Sequence, residues 1–200
     1  MNRITSIAAL EALYPSDIVP AALRKEADHL TPLYRKWIEA ARFCILSTAG
    51  DRVHGTPRGD DGPVVRVQDD HTLLLPDWRG NYRLEALRDI VTDGRVALLF
   101  MVPGNPTTIR VNGQAFLTDD AALRASFAKG TRQPATVIVI QIEQVYTQCA
   151  KALLRSGLWT RDDRASVPRT GDILAEASGG IDGGADYDET YAEKAAPRMW

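Results

Sequence analysis

The run Pro76-Asp77-Trp78-Arg79-Gly80-Asn81-Tyr82-Arg83 places two arginines and an asparagine where a strand pattern gives way to a helical one. Asn81 can cap the helix that follows, leaving backbone N–H groups pointing outward. A helix N-terminus favours an anion, and Arg83 in the first turn adds a bidentate phosphate donor. Cations in a first helical turn oppose the helix dipole, so Arg79 and Arg83 make more sense with an anion present. Lys151 and Arg155 share one face of a second helical turn, and Trp159 continues the row. Two cations beside an indole suit a planar anionic ligand. A third segment, Thr56-Pro57-Arg58-Gly59-Asp60, is a turn with an arginine at its mouth. Arg66 and Arg110 fall inside strand patterns, where each needs solvent or a partner. Taken singly, each segment also reads as an ordinary solvated surface, and for the second and third that plainer reading is the stronger.

Other chemistries lack their residues. There is no G-x-x-x-x-G-K-[ST] phosphate loop, no G-x-G-x-x-G and no G-x-S-x-G elbow. His29, His54 and His71 share no metal-ligand spacing with one another or with the cysteines.

The elements that must hold the basic residues read as mostly strands between helical ends. Residues 1–40 look helical: Ile4, Ile7, Ala8 and Leu10 to Leu13 form an apolar patch broken by Pro15, and Pro32 to Ala41 follows with Thr31 as N-cap. Strands are expected at Phe43 to Thr48, Val53 to Pro57, Val64 to Val67 and Thr72 to Leu75. The period then changes to helical from Asn81 to Thr92, closed by Gly94. Val96 to Val102 and Thr107 to Leu117 form a strand pair around a Pro-Gly-Asn-Pro turn. Asp119 to Lys129 is a short helix, and Thr136 to Ile142 is a β-branched strand. Strands at short intervals with few long helices predict an antiparallel barrel, not a doubly wound sheet. Ser178 to Gly184 reads as a linker, and Tyr191 and Trp200 as anchors for the polar tail.

Composition narrows the class. Hydrophobic residues are 44% of the 200, enough for a core, and a net charge of −2 argues against a general nucleic-acid binder. No apolar run suggests a membrane span or a signal peptide. Cys44 and Cys149 are expected to be reduced thiols in a cytoplasmic protein.

The ordered set of motifs resembles a known family. Phe43-Cys44-Ile45-Leu46-Ser47-Thr48, Thr56-Pro57-Arg58-Gly59-Asp60, Val65-Arg66-Val67, Leu75-Pro76-Asp77 and Gly80-Asn81-Tyr82-Arg83 are similar to the opening half of the pyridoxamine 5′-phosphate oxidase-like superfamily. Gly94 to Phe100, Thr108 to Ala115, Cys149 to Ala152 and Arg155 to Trp159 continue the likeness, which covers about residues 30–165. The spacing looks like a subgroup of FMN-binding relatives and not the oxidase itself. The pyridoxal-phosphate-binding residues of the true oxidase have no recognisable counterparts here, so vitamin B6 oxidation is not implied.

The resemblance implies a mainly β chain with flanking helices: a six-stranded antiparallel split β-barrel over 42–165, a helical extension at 1–41 packed on the barrel, and a C-terminal extension at 166–200. It implies a homodimer with FMN between the subunits. The phosphate would lie near Arg58, Arg66, Asn81 and Arg83, while Val65, Pro76, Asp77 and Thr108 border the flavin ring. Lys151, Arg155 and Trp159 would reach the flavin from the other subunit or close its pocket. The expected activity is FMN-dependent oxidation or reduction of a small molecule, with no nucleic-acid or membrane partner. A non-catalytic flavin carrier, sensor or store, or a split barrel holding a deazaflavin or haem, are the alternatives.

Overall fold

A computed structural model of the chain describes residues 1–14 and 17–200, so the helix break expected at Pro15 lies outside the described residues. Three short helices, α1 (Ile7–Glu11), α2 (Pro20–Arg24) and α3 (Pro32–Glu39), precede the sheet. Thr31 caps α3 as its position suggested, its hydroxyl accepting from Tyr34 N. The strands are β1 (Phe43–Ala49), β2 (Val53–Gly59), β3 (Arg66–Val67), β4 (Thr72–Asp77), β5 (Arg95–Met101), β6 (Thr108–Thr118) and β7 (Thr136–Gln148). Helix α4 (Glu85–Thr92) lies between β4 and β5, α5 (Ala121–Ala125) between β6 and β7, and α6 (Lys151–Ser156), α7 (Thr170–Ala177) and α8 (Ala185–Ala195) follow.

All seven strands join one antiparallel sheet in the order β2-β1-β5-β6-β7-β4-β3, which curls into a half-barrel. The resemblance implied six strands; the seven strand segments read along the chain all form, the two-residue β3 being the shortest. β3 is shorter than the expected Val64 to Val67 because Val64 N bonds Ala41 O, outside the sheet, while Val64 and Val65 are buried in the core.

Burial follows the two-residue period of a strand. Cys44 and Leu46 on β1, Leu98 and Phe100 on β5 and Val111 on β6 face one interior. The β-branched run of β7 is buried on both faces. Ile138, Ile140 and Ile142 enter that interior, whereas Val137 and Val139 join Leu74 under Leu123 and Phe127. β7 runs thirteen residues, past the expected end at Ile142, because its polar half stays paired to β6 through a register shift at Asn112/Gly113.

Helix α4 starts later than the sequence suggested. Tyr82 and Leu84 both take left-handed backbone (φ 61 and 59), so no helical turn can run through them, and Leu84 occupies the cap position. Asn81 therefore does not cap α4; its side-chain oxygen accepts from Arg83 N in a local turn ahead of the helix. Arg83 likewise precedes the first helical turn. The glycine-rich stretch at 178–184 is a packed turn between α7 and α8, not an open spacer: Gly184 N bonds Gly171 O at 2.8 Å. Among the described residues no helix is long and apolar enough to cross a membrane.

Candidate functional site

A cleft of about 1400 Å³ opens where β2, the end of β4 and α4 meet. Arg58 reaches into it from β2, and its Nη1 donates to Asp77 Oδ1 at the end of β4 at 2.6 Å. Both side chains are largely buried, 16% and 14% exposed, so the pair sits in a poorly solvated wall. The Nε of Arg58 is buried with no partner, and so is the Thr136 hydroxyl across the strand pair from Asp77. Buried polar groups are rarely left unmatched, so two in one cleft point to a polar ligand that satisfies them. Asn81, Arg83 and Arg88 edge the same cleft, and Val64, Leu75 and Ala86 give it an apolar floor. Arg83 is exposed and pairs with Glu85.

Beside the cleft lies a cluster that sequence reasoning did not assemble, of which Asp60, Trp78 and Met199 line it. Asp60 accepts from Trp78 Nε1 at 3.1 Å and from Lys129 Nζ at 2.5 Å, and Asp61 takes a second bond from the same ammonium. Burial works against the Lys129 charge, but the bonds to Asp60 and Asp61 outweigh it and hold its pKa above that of an ordinary lysine. Lys129 Nζ also lies 3.5 Å from the centre of the Trp200 ring, and Trp200 meets Trp78 edge-on at 5.2 Å. Met199 lines the cleft beside them. Trp200 is thus an anchor, as its position in the polar tail suggested; its partners had no visible signal.

Behind α4, the buried Asp89 accepts from Thr48 Oγ1 at 2.6 Å and from His54 Nδ1 at 2.7 Å. These two bonds, the hydroxyl first, hold the Asp89 carboxyl below its usual pKa. A Cβ on Gly50 would lie 2.3 Å from Asp89 Oδ1, so glycine makes room for the acid. The cluster ties α4 to β1 and β2 and so fixes one side of the cleft.

Of the residues singled out from the sequence, the structure brings Arg58, Pro76, Asp77, Asn81 and Arg83 to the cleft. A second group gathers around the start of β6 and the end of β7, which lie in register with Arg58 across β1 and β5. Thr108 is buried at the start of β6, opposite Gln148 at the end of β7, and Lys151 and Arg155 are exposed on α6 just beyond. Trp159 Nε1 donates to Asn105 O in the β5–β6 turn at 2.8 Å. Two residues join neither group. Val65 is in the core, and Arg66 stacks on Phe127 at 3.7 Å while bonding Ser126 on the outer face.

The sequence profile described as pyridoxamine 5′-phosphate oxidase matches residues 30–149. No protein of curated function matches the chain. Among solved structures, the chain is similar to HupZ from Group A Streptococcus, at 17% identity over 59% of this chain and 93% of that one, with a TM-score of 0.49. A putative pyridoxamine 5′-phosphate oxidase from Lactobacillus delbrueckii gives 20% identity over 60% and 95%, with a TM-score of 0.48. The FAD binding protein from Mycobacterium smegmatis gives 16% over 61% and 97%, with a TM-score of 0.42.

Proposed function

The chain belongs to the pyridoxamine 5′-phosphate oxidase family, and from that premise we propose that it is an FMN-binding flavoprotein, an oxidoreductase acting on a small molecule. The observation that carries the reading is the cleft itself. Two buried, unpartnered polar atoms, Arg58 Nε and Thr136 Oγ1, belong to residues that line the same cleft as Asn81 and Arg83. That donor set fits a ligand with a phosphate and a polar ring edge. Arg58, Asn81 and Arg83 would hold the phosphate, while Pro76 and Asp77 would border the ring. Bound there, a flavin supplies hydride or electron transfer.

The chain's own part is binding and orientation. Asp77 fixes the Arg58 guanidinium by a charge-assisted bond, so one cation of the site is placed before any ligand enters. The apolar floor excludes water. Lys151, Arg155 and Trp159 enter the reading through a second copy of the chain. Along the sheet, Arg58 on β2 stands three strand spacings, roughly 15 Å, from Ile109, the neighbour of Thr108 on β6. Two copies related by a two-fold axis can lay the second group of one against the cleft of the other.

The test is flavin discrimination. The protein stripped of bound ligand is expected to bind FMN at least about tenfold more tightly than riboflavin, since a charge-assisted contact is worth about 1.5–3 kcal/mol. Equal affinity for the two, measured by titration of flavin fluorescence, would overturn the phosphate site.

A further inference from the structure

The wall formed by the last residues differs from the rest of the cleft. Its floor residues Val64, Leu75 and Ala86 belong to the buried core, whereas no residue from 185 to 200 is buried. A segment held only by surface contacts opens at far lower cost than the sheet beneath it. The contacts that hold it are nonetheless specific. Lys129 and Arg132 bridge one tight turn, with Gly130 at φ 62, which presents both side chains to the tail. Lys129 Nζ sits over the Trp200 ring, and Arg132 Nη1 donates to the Trp200 backbone oxygen at 3.3 Å. Trp78, which packs against Trp200, is itself a cleft residue bonded to Asp60. The tail is thereby tied to both banks of the cleft: to the β4–α4 loop through Trp78, and to the α5–β7 turn through Lys129 and Arg132.

We propose that Met199 and Trp200 form a latch over the Trp78–Thr136 end of the cleft, and that its opening governs how fast a ligand enters and leaves. The proposal rests on the cleft being a ligand site, the reading given above. Lys129 is the clasp. Its ammonium satisfies Asp60 and Asp61 on one side and the indole face on the other, so removing it frees the ring while leaving the sheet intact. Trp200 is the part that moves. Met199 follows it because the two are adjacent in the chain.

A reporter inside the cleft tests the latch without any ligand. Thr136→Cys, in a Cys149→Ser background, places a single thiol at that end, shielded where the Thr136 hydroxyl is buried; the buried Cys44, whose thiol burial pushes up to about 12, stays silent. Labelling by a small neutral thiol reagent is expected to run about tenfold faster when Trp200→Ala or Lys129→Met is added, the scale of losing one cation–π contact and the aromatic pair. Trp200→Phe, which keeps a ring on Lys129, is expected to stay within about twofold of the parent. FMN release from the loaded protein, followed by flavin fluorescence, is expected to accelerate in the same order. Unchanged labelling in both Trp200→Ala and Lys129→Met, with native circular dichroism, overturns the latch even where FMN binds. Faster labelling in a protein that binds no FMN leaves the latch standing and sinks the cofactor reading instead.

Discussion

Asp89 is an acid on which three elements meet, and its chemistry is testable without knowing the ligand. Thr48 and His54 both donate to it, and those bonds depress its pKa in the folded state. A depressed carboxylate contributes stability in full above the unfolded aspartate value of about 3.9, and loses it as the pH falls through the lower folded value. Asp89→Asn is therefore expected to lower the melting temperature at neutral pH and to flatten the loss of stability below about pH 4. Identical acid limbs for the two proteins in thermal melts across that range would contradict the assignment. At this scale the sequence was legible where a residue type announces its chemistry: Asn81 and Arg83 were singled out at a strand-to-helix junction, Arg58 gained a site role only through the family resemblance, and the cleft contains all three. The grouping of Asp60 and Trp78 with Lys129 was not legible, because Lys129 is 69 positions from Asp60 and only the fold brings them together. Asn81 was placed in the right neighbourhood with the wrong task. A capping asparagine and one that closes a local turn share the same sequence signal, and the left-handed Leu84 decides between them.

Among the elements, the long pair β6·β7 holds the two ends of the sheet in register. Its weak point is the shift at Asn112/Gly113. A Cβ at Gly113 would lie 1.9 Å from the backbone oxygen of Gln141, and backbone in the middle of a sheet cannot yield as a flexible side chain would. Gly113→Ala is expected to cost about 3 kcal/mol in denaturant unfolding, the upper range for overpacking. Gly62→Ala meets only Asp60 Oδ1 at 4.0 Å and is expected to stay within about 0.5 kcal/mol of the parent. Comparable losses in the two variants would show that the bulge has room to relax. The strands themselves were readable from alternation and β-branching, since burial imposes that period directly. The bulge and the extra length of β7 were not, because both arise from pairing with β6, and pairing leaves no mark on a strand read alone.

Across the whole molecule, the two basic groups come from separate elements, β2 and the β4–α4 loop for one and α6 for the other, and on the proposed reading each supplies part of one flavin site. On that reading Arg58, Asn81 and Arg83 hold the phosphate and leave the ring edge to other cations. Lys151 and Arg155 supply cations and stand exposed on α6. Large apolar side chains also remain exposed on the same protomer, among them Phe116, Leu154 and Leu158, which a partner copy would cover. The proposed homodimer accounts for both facts, with sedimentation expected to give about twice the 22.0 kDa of one chain. Mixing is the sharper experiment. Arg83→Ala breaks the cleft half of a site, and Lys151→Met breaks the half brought by the other copy. Each variant alone is expected to bind FMN at least about tenfold more weakly, the loss of one charge-assisted contact. Unfolded together and refolded at equal amounts, half the dimers are mixed, and each mixed dimer carries one site with both halves intact. Roughly a quarter of all sites should then regain parental affinity, as two-fold symmetry requires. If refolding together restores none, both halves of every site come from one chain, and the shared cleft is wrong.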